Sequence, residues 1–474
     1  MVMRQRKLKS EDDETYSTDS PSWAKKNHEK SGRKYSITII ILSVLFLGYI
    51  AIASDLRPVR IGSKAIDSLA FSFNLQKPFY VVIIDAGSTG SRVLAFSFHE
   101  SIINSNLILD NELFYEIKPG LSSFADNPKN AAKSLLTLLD KAKEVIPKSE
   151  WAHTPLSMKA TAGLRLLPEQ KANNILAECK NLFDTSGFLA NKNSISIMDG
   201  TDEGIFSWFT VNFLLDRFNA QNTANTVAAL DLGGGSTQVT FSPNKAQARI
   251  LEKNIYYIST FNQNMSLYTQ SYLGMGLMAA RNKILIHNVN LEETNNAQEI
   301  ILHSECVNPI VSAKWNYGGN NYLIKGPVNA TYKIVKSQNY AGSDEKLPIV
   351  KFSECLKTIQ QYVDTLSNKP VGLKDHEIYA FSYYFERATE TGLIEPFHGG
   401  VVTLNDFLKQ AKEACDYPNT DQPFMCLDLT FIYTLLHKGF GLESSTKLYL
   451  YKKITGHELS WALGAAFNIL QNGL

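Results

Sequence analysis

Two stretches of the chain carry the same order of apolar and polar positions. Tyr80-Val-Val-Ile-Ile runs into Asp85, then into a turn with Gly87, Ser88, Thr89 and Gly90, then into a second apolar run, Arg92-Val-Leu-Ala-Phe. Val227-Ala-Ala-Leu runs into Asp231, then Gly233-Gly234-Gly235-Ser-Thr, then Gln238-Val-Thr-Phe. β-branched and aromatic residues on both sides of a glycine break predict strand, turn, strand. Elsewhere the apolar spacing lengthens to that of a helix: residues 130–145, Glu169 to Phe183 with Pro168 at the helix start, and Ile205 to Phe218. Ser194-Ile-Ser-Ile-Met predicts a short strand ending at Asp199. The segment from Glu458 to Leu470 reads as a packing helix, too short for a membrane span. Alternating strands and helices indicate α/β, and the duplicated hairpin indicates two related lobes. Residues 290–350, rich in Asn, Gly, Ser and Lys with little periodicity, are expected to be a loop-rich insertion.

The N-terminus follows a different pattern. Residues 1–34 are charged and nearly free of large apolar side chains, which predicts a disordered tail. From Tyr35 to about residue 54 runs an uncharged apolar stretch long enough to cross a bilayer. Lys25, Lys26, Lys30, Arg33 and Lys34 precede it, whereas the charges after it are mixed, so the bulk of the chain is expected on the luminal or outer side. An uncleaved single-pass anchor is favoured over a cleaved signal peptide because the leader and the apolar run are long. Residues 55–78 are expected to form a stem.

At 474 residues and 44% hydrophobic, the chain can bury more than one core. A net charge of +1 and the absence of a basic, aromatic-interleaved stripe argue against nucleic acid as a partner. Nine scattered histidines without a zinc-type spacing point to oxygen-ligated, hard-metal chemistry instead. Cys306 with Cys355 and Cys415 with Cys426 are candidate disulfides, although four cysteines permit three pairings. Cys179, within an amphipathic pattern, is expected to be a buried free thiol. Asn264 and Asn329 open glycosylation sequons.

The duplicated turns carry the chemistry. Glycines let backbone N–H groups converge on an anion, Ser/Thr hydroxyls add donors, and each preceding Asp can hold a hydrated divalent cation. These are not Walker loops: no Gly-Lys-Ser/Thr ending is present, and a strand rather than a helix follows. Two such hairpins facing one another would clamp a polyphosphate with its metal. Hydrolysis then needs a carboxylate base. Glu203, between Gly200 and Gly204 at a helix start, is a candidate. Asp199 and Asp202 share the turn and compete with it, and a first-turn acid can equally serve the helix dipole.

Five motifs in order carry a family resemblance: Asp85-Ala-Gly-Ser-Thr-Gly-Ser-Arg, Lys159-Ala-Thr-Ala-Gly-Leu-Arg, Asp199-Gly-Thr-Asp-Glu-Gly-Ile-Phe-Ser-Trp, Asp231-Leu-Gly-Gly-Gly-Ser-Thr-Gln and Ser460-Trp-Ala-Leu-Gly-Ala. Together they resemble the apyrase conserved regions of the ecto-nucleoside triphosphate diphosphohydrolases over residues 79–470. The resemblance implies two RNase-H-like lobes of the actin, Hsp70 and sugar-kinase superfamily with the active site in the interlobe cleft. Lobe I would span 79–198, completed by a C-terminal helix within 455–474, and lobe II 199–454. It implies Glu203 as the catalytic base and Ser236 and Gln238 as residues orienting the attacking water. Thr161 would supply a hydroxyl near the metal. Asp85 and Asp231 would hold Ca²⁺ or Mg²⁺ through its waters. Ser88, Thr89 and Gly90, with Gly233 to Gly235, would form the phosphate loops, to which Gly87 belongs by its place in the first turn. Phe385, with its neighbour Tyr384, and Phe440 match the segments that form the nucleobase slot, against a reading in which they only pack the core.

Cell-surface members often carry a histidine in the first loop, where this chain has Thr89-Gly90-Ser91-Arg92. That departure and the single N-terminal span resemble the single-pass or soluble diphosphate-preferring subgroup. The expected activity is removal of the terminal phosphate of UDP or GDP, with triphosphates open. The expected place is the Golgi or ER lumen, the cell surface, or outside the cell after shedding, and oligomeric state is left open. The competing readings are an exopolyphosphatase or sugar kinase of the same superfamily and a non-enzymatic, nucleotide-binding actin-like scaffold.

Overall fold

The computed structural model describes residues 35, 37–50, 66–73, 75–102, 106–218, 225–260, 263–287, 299–336 and 344–474. The charged tail 1–34, and positions 51–65 and 74 of the expected anchor and stem, lie outside the described residues. Contact clustering separates residues 1–73 from 74–474. In the first unit, 35 and 37–50 are helical with exposed side chains, and 66–72 form a second helix. Among the described residues no helix is long and apolar enough to cross a membrane.

The second unit is built on two large sheets. β1 (Phe79–Ala86), β2 (Ser91–Glu100), β3 (Leu107–Ile117), β4 (Leu156–Ala160) and β5 (Ile195–Ile197) form the first, in the order β3-β2-β1-β4-β5. β1 pairs antiparallel with β2 and parallel with β4, and β4 pairs parallel with β5. The second sheet begins with β6 (Ala228–Leu232), β7 (Ser236–Phe241), β8 (Ile255–Thr260) and β9 (Gln263–Leu273). After an insertion holding β10 (Ile300–His303), β11 (Ser312–Tyr317), β12 (Asn320–Lys325), β13 (Thr331–Lys336) and β14 (Asp344–Ile349), it resumes with β15 (Ile378–Ser382), β16 (Gly400–Thr403) and β17 (Lys447–Leu450). Its order is β16-β17-β15-β6-β7-β9-β8. Without the edge strands β16 and β8, it repeats the first sheet: a central strand ending in Asp, two antiparallel neighbours on one side, two parallel ones on the other. The duplication legible in two turns therefore extends to two whole sheets.

Both faces of β1 are covered, which is why its apolar run is continuous rather than alternating. Val82 and Ile84 pack with Val93, Ala95 and the helices Leu136–Val145 and Glu169–Asp184. Val81 and Ile83 face the opposite way, into a core shared with β2, β6, β15 and the helices Gly200–Leu214 and Trp461–Asn472. The Trp461–Asn472 helix lies on β1 and β2 and crosses the Gly200–Leu214 helix, which lies on β6, β7 and β9. Gly464 makes that crossing close. A side chain there would meet the Phe206 backbone, with its Cα at 2.8 Å, and the Gly464 N–H donates to Thr210 Oγ1 at 3.0 Å.

Several boundaries and one segment differ from the sequence reading. The pattern at 130–145 is two helices, Pro128–Ser134 and Leu136–Val145, and the helix expected from Ile205 begins at Gly200, capped by the Asp199 carboxylate. The helix read from Glu169 does begin there, with Pro168 at the preceding position, and ends one residue later, at Asp184. The expected loop-rich insertion holds five strands in its described part. In β11, Ser312-Ala-Lys-Trp-Asn-Tyr alternates exposed polar and half-buried apolar residues, a short period-2 strand signal inside a segment otherwise rich in loop-forming residues. Cys306 pairs with Cys355 and Cys415 with Cys426, with S–S separations of 2.04 and 2.03 Å. Cys179 is a buried free thiol whose pKa burial pushes up to about 12. Asn264 and Asn329 are exposed.

Gly464→Ala should lower stability by about 1–3 kcal/mol, the usual cost of forcing a methyl into a closed contact. Denaturant unfolding measures it, and a neutral effect would show that the two helices can separate without cost.

Candidate active site

Asp85 and Asp231 lie at the ends of β1 and β6, and antiparallel register sets a partner opposite each. Asp85 faces Arg92 and Asp231 faces Gln238. Opposed residues share a face, so each acid and its partner project together. Arg92 bridges two acids, with Nη1 3.4 Å from Asp85 Oδ2 and Nη2 2.8 Å from Glu116 Oε1. Asp231 accepts from Ser382 Oγ at 2.6 Å and from Ser207 Oγ at 3.4 Å. The Asp85 Oδ1 atom is buried and has no partner within the described protein.

Glu203 enters from the first turn of the Gly200–Leu214 helix and is 6% exposed. It accepts from Arg165 Nη2 and, at 3.0 Å, from Gln238 Nε2. The same amide nitrogen reaches Ser236 Oγ at 2.7 Å and Ser271 Oγ at 3.1 Å. Glu203, Gln238 and Ser236 therefore form one buried cluster beside the second glycine turn. The other acids of the helix start are placed differently. Asp199 caps the helix, accepting from Thr201 N–H at 2.7 Å, and both it and Asp202 line a second cavity with Lys159 and Ser196.

The two glycine turns meet across an open cleft of about 1120 Å³. None of Gly87, Gly90, Gly233, Gly234 and Gly235 has a positive φ, so they are not required for left-handed backbone. At Gly234 the requirement is proximity: a side chain there would collide with the Ser88 hydroxyl of the opposite turn. Glycine thus lets the loops approach one another, where the sequence alone suggested a backbone nest. Thr89 of the first loop and Tyr383 both line the cleft. Thr161 is buried on the cleft wall, its N–H donating to Ala86 O at 3.2 Å.

The aromatic residues divide. Phe385 lines the cleft, whereas Tyr384 is fully buried in the lobe II core and Phe440 packs on Tyr272 at 5.2 Å. Neither Tyr384 nor Phe440 lines the cleft: Tyr384 is turned into the core by the helix after β15, and Phe440 packs at the end of the Leu435–Gly439 turn. Tyr383, not singled out from sequence, does line it. Arg165, Ser207, Ser271 and Ser382 were missed as well. Arg165 and Ser207 stand within quoted motifs, but no pattern in sequence shows that Ser207 and Ser382 reach Asp231 or that Ser271 reaches Gln238.

The electrostatics are those of a site short of positive charge. Burial pushes Glu203 up to about 8 against the attraction of Arg165, with Asp231 and Asp85 adding repulsion. Burial also pushes Asp85 up to about 6 against the pull of Arg92, and raises Asp231 against the Ser382 hydrogen bond. An orphaned carboxylate oxygen and two hard oxygen donors fit a divalent cation. Among the described residues no group of three His, Cys, Asp or Glu ligands exists, so the two acids alone would leave most coordination positions to water.

A model of the GDA1/CD39 (nucleoside phosphatase) family matches residues 74–473. The chain belongs to this family. It is 40% identical over 402 residues to ectonucleoside triphosphate diphosphohydrolase 5 of Gallus gallus, covering 84% of this chain and 88% of that one. It is 40% identical over 398 residues to the human nucleoside diphosphate phosphatase ENTPD5, covering 83% and 88%. It is 37% identical over 415 residues to nucleoside-diphosphatase uda-1 of Caenorhabditis elegans, covering 82% and 81%. Among solved structures, a nucleoside triphosphate hydrolase from Neospora caninum superposes with a TM-score of 0.56 at 12% identity, over 88% of this chain and 98% of that chain. At that identity the likeness establishes the fold: two lobes of the actin and Hsp70 type.

The pH dependence of stability follows in sign from the raised carboxylates. A folded-state pKa above the unfolded one means that the folded state holds its proton longer, so stability falls as pH rises through the window. For Glu203 that window runs from 4.5 to about 8. In chelator, Glu203→Gln should therefore gain melting temperature relative to the parent protein as pH rises from 5 to 8. A difference that stays constant with pH would contradict the raised pKa.

Proposed function

We propose that the chain hydrolyses the terminal phosphoanhydride of nucleoside diphosphates, UDP and GDP foremost, releasing nucleoside monophosphate and orthophosphate. The observation that carries the reading is the buried Glu203–Gln238–Ser236 cluster beside two facing glycine turns. The names of the human and nematode relatives support the diphosphate class.

The terminal phosphate would lie between Ser88-Thr89-Gly90 and Gly233-Gly234-Gly235, within reach of backbone N–H groups and both hydroxyls. Ser236 and Gln238 would hold a water opposite the leaving oxygen. Glu203 takes its proton as the new P–O bond forms and the bond to the bridging oxygen breaks, leaving the nucleoside monophosphate. With a pKa of about 8 Glu203 holds a proton at neutral pH before a cation binds, so the positive charge of Arg165 and of a bound cation would favour the ionised form that accepts the water's proton. Thr161 stands on the wall beside the first loop. Asp85 and Asp231 would hold Ca²⁺ or Mg²⁺ through its waters, and that cation would neutralise phosphate charge. Phe385 is the residue in position to stack on a nucleobase, a contact that discriminates poorly between bases.

We further propose lobe boundaries of 79–198 with 455–474, and 199–454. We also propose a single-pass anchor over 35–54 with the catalytic unit in the secretory lumen. Helical residues 37–50 with exposed apolar side chains, basic residues before them and two disulfides support that topology.

Glu203→Gln should lower kcat by roughly two to four orders of magnitude while cation-dependent thermal stabilisation survives. Near-normal turnover would return Asp199 or Asp202 to consideration. Phosphate release from UDP, GDP, ADP, ATP and UTP, in chelator and then with Ca²⁺ or Mg²⁺ restored, tests substrate and cation together. A clear preference for ATP, or turnover in chelator, would defeat the corresponding part of the proposal.

A further inference from the structure

Ser382 closes β15 with φ 58° and ψ −127°, one of three non-glycine residues with positive φ among the described residues. Glycine adopts that geometry freely, whereas a Cβ crowds the flanking backbone. A serine held there needs a reason. Capping the Tyr383–Glu390 helix is not the reason, since the Ser382 side chain makes no capping hydrogen bond. Its hydroxyl instead crosses to the neighbouring strand. Ser382 sits beside Leu232 in the parallel β15–β6 register, and Oγ donates to Asp231 Oδ1 at 2.6 Å. The other donor to Asp231, Ser207 Oγ, stands at 3.4 Å. Ser382 is thus the shorter of the two contacts that set the carboxylate, and both Ser382 and Asp231 face the cleft.

We infer that Ser382 is a positioning residue for Asp231. Its hydroxyl fixes the carboxylate in the orientation that receives a hydrated divalent cation, and the strained backbone is what brings the hydroxyl to that oxygen. The inference rests on the cation reading above. Strain at one residue, an unused capping role and a short bond to a buried acid point to function at the acid, not at the helix start.

Two substitutions separate the hydroxyl from the backbone. Ser382→Gly removes the hydroxyl and relaxes φ, whereas Ser382→Ala removes the hydroxyl and keeps the strain. The readout is the melting temperature of the full chain titrated with Mg²⁺ or Ca²⁺ alone, without nucleotide or turnover. Both variants should need about tenfold more cation for half of the stabilisation, the order expected for a hydrogen bond to a charged group. In chelator, Ser382→Gly should melt above Ser382→Ala. A Ser382→Gly protein with the parental cation midpoint would overturn the assignment, even if Ser382→Ala is impaired, because backbone strain alone would then explain the defect. A parental protein whose melting temperature responds to neither cation would remove the cation reading, and this assignment with it.

Discussion

Three carboxylates, Asp85, Asp231 and Glu203, are buried together where the two sheets meet, and much of the surrounding structure answers their repulsion. Burial raises all three pKa values, Asp231 adds to the rise of Asp85 and both add to that of Glu203, and the positive charge facing them comes from Arg92 and Arg165. Concentrated buried charge is expensive in a low-dielectric interior unless it is paired and hydrogen-bonded. The hydroxyls of Ser207 and Ser382, the amide of Gln238 and the guanidinium of Arg165 supply part of that pairing. What remains, including the unpartnered Asp85 Oδ1, is a site arranged for a cation and a phosphate rather than for stability.

The duplication makes this arrangement intelligible and also shows where the copies diverged. Both sheets carry an Asp at the end of the central strand and a glycine turn behind it. The residue opposite the acid differs: Arg92 in one copy, Gln238 in the other. One hairpin contributes positive charge to the acid pair, while the other contributes an amide that reaches the base and a hydroxyl. The helices repeat this division. Gly200–Leu214 lies on the second sheet and carries Glu203, while Trp461–Asn472 lies on the first and crosses it at Gly464. A crossing that admits no side chain sets how closely the two sheets approach, and so how closely the two glycine turns face one another.

The lobe II insertion and the aromatic positions show where linear pattern stops being informative. β11 carries only six residues of alternation, Lys314 and Asn316 outward and Trp315 and Tyr317 half-buried, a run too short to stand out within an Asn- and Gly-rich segment until pairing with β12 sets it. Aromatic residues at 383, 384 and 385 are equivalent in composition, yet a positive φ at Ser382 and the helix after it send Tyr384 into the core and leave Tyr383 and Phe385 on the cleft. Phe440 finds its partner in Tyr272, a residue distant in sequence.

By itself the sequence determined the duplicated strand–turn–strand units, the α/β class, the family and the identity of its acids, because these depend on local residue types in a fixed order. The buried thiol was likewise legible from its amphipathic surroundings, whereas the cysteine pairs were candidates among three possible pairings until the structure joined them. The family resemblance pointed to Glu203 among three neighbouring acids, and the tertiary structure supplies the geometry that separates them. Helix geometry points Glu203 into the cleft, turns Asp199 to the helix cap and places Asp202 on another cavity. The tertiary structure alone showed that Gly234 and Gly235 permit close approach to the opposite side of the cleft, and that none of the turn glycines has left-handed backbone. It alone joined Arg165, Ser207 and Ser382 to the acids, since those contacts span 24 to 151 residues of chain. No local pattern can encode a contact that exists only once two distant strands have been laid side by side.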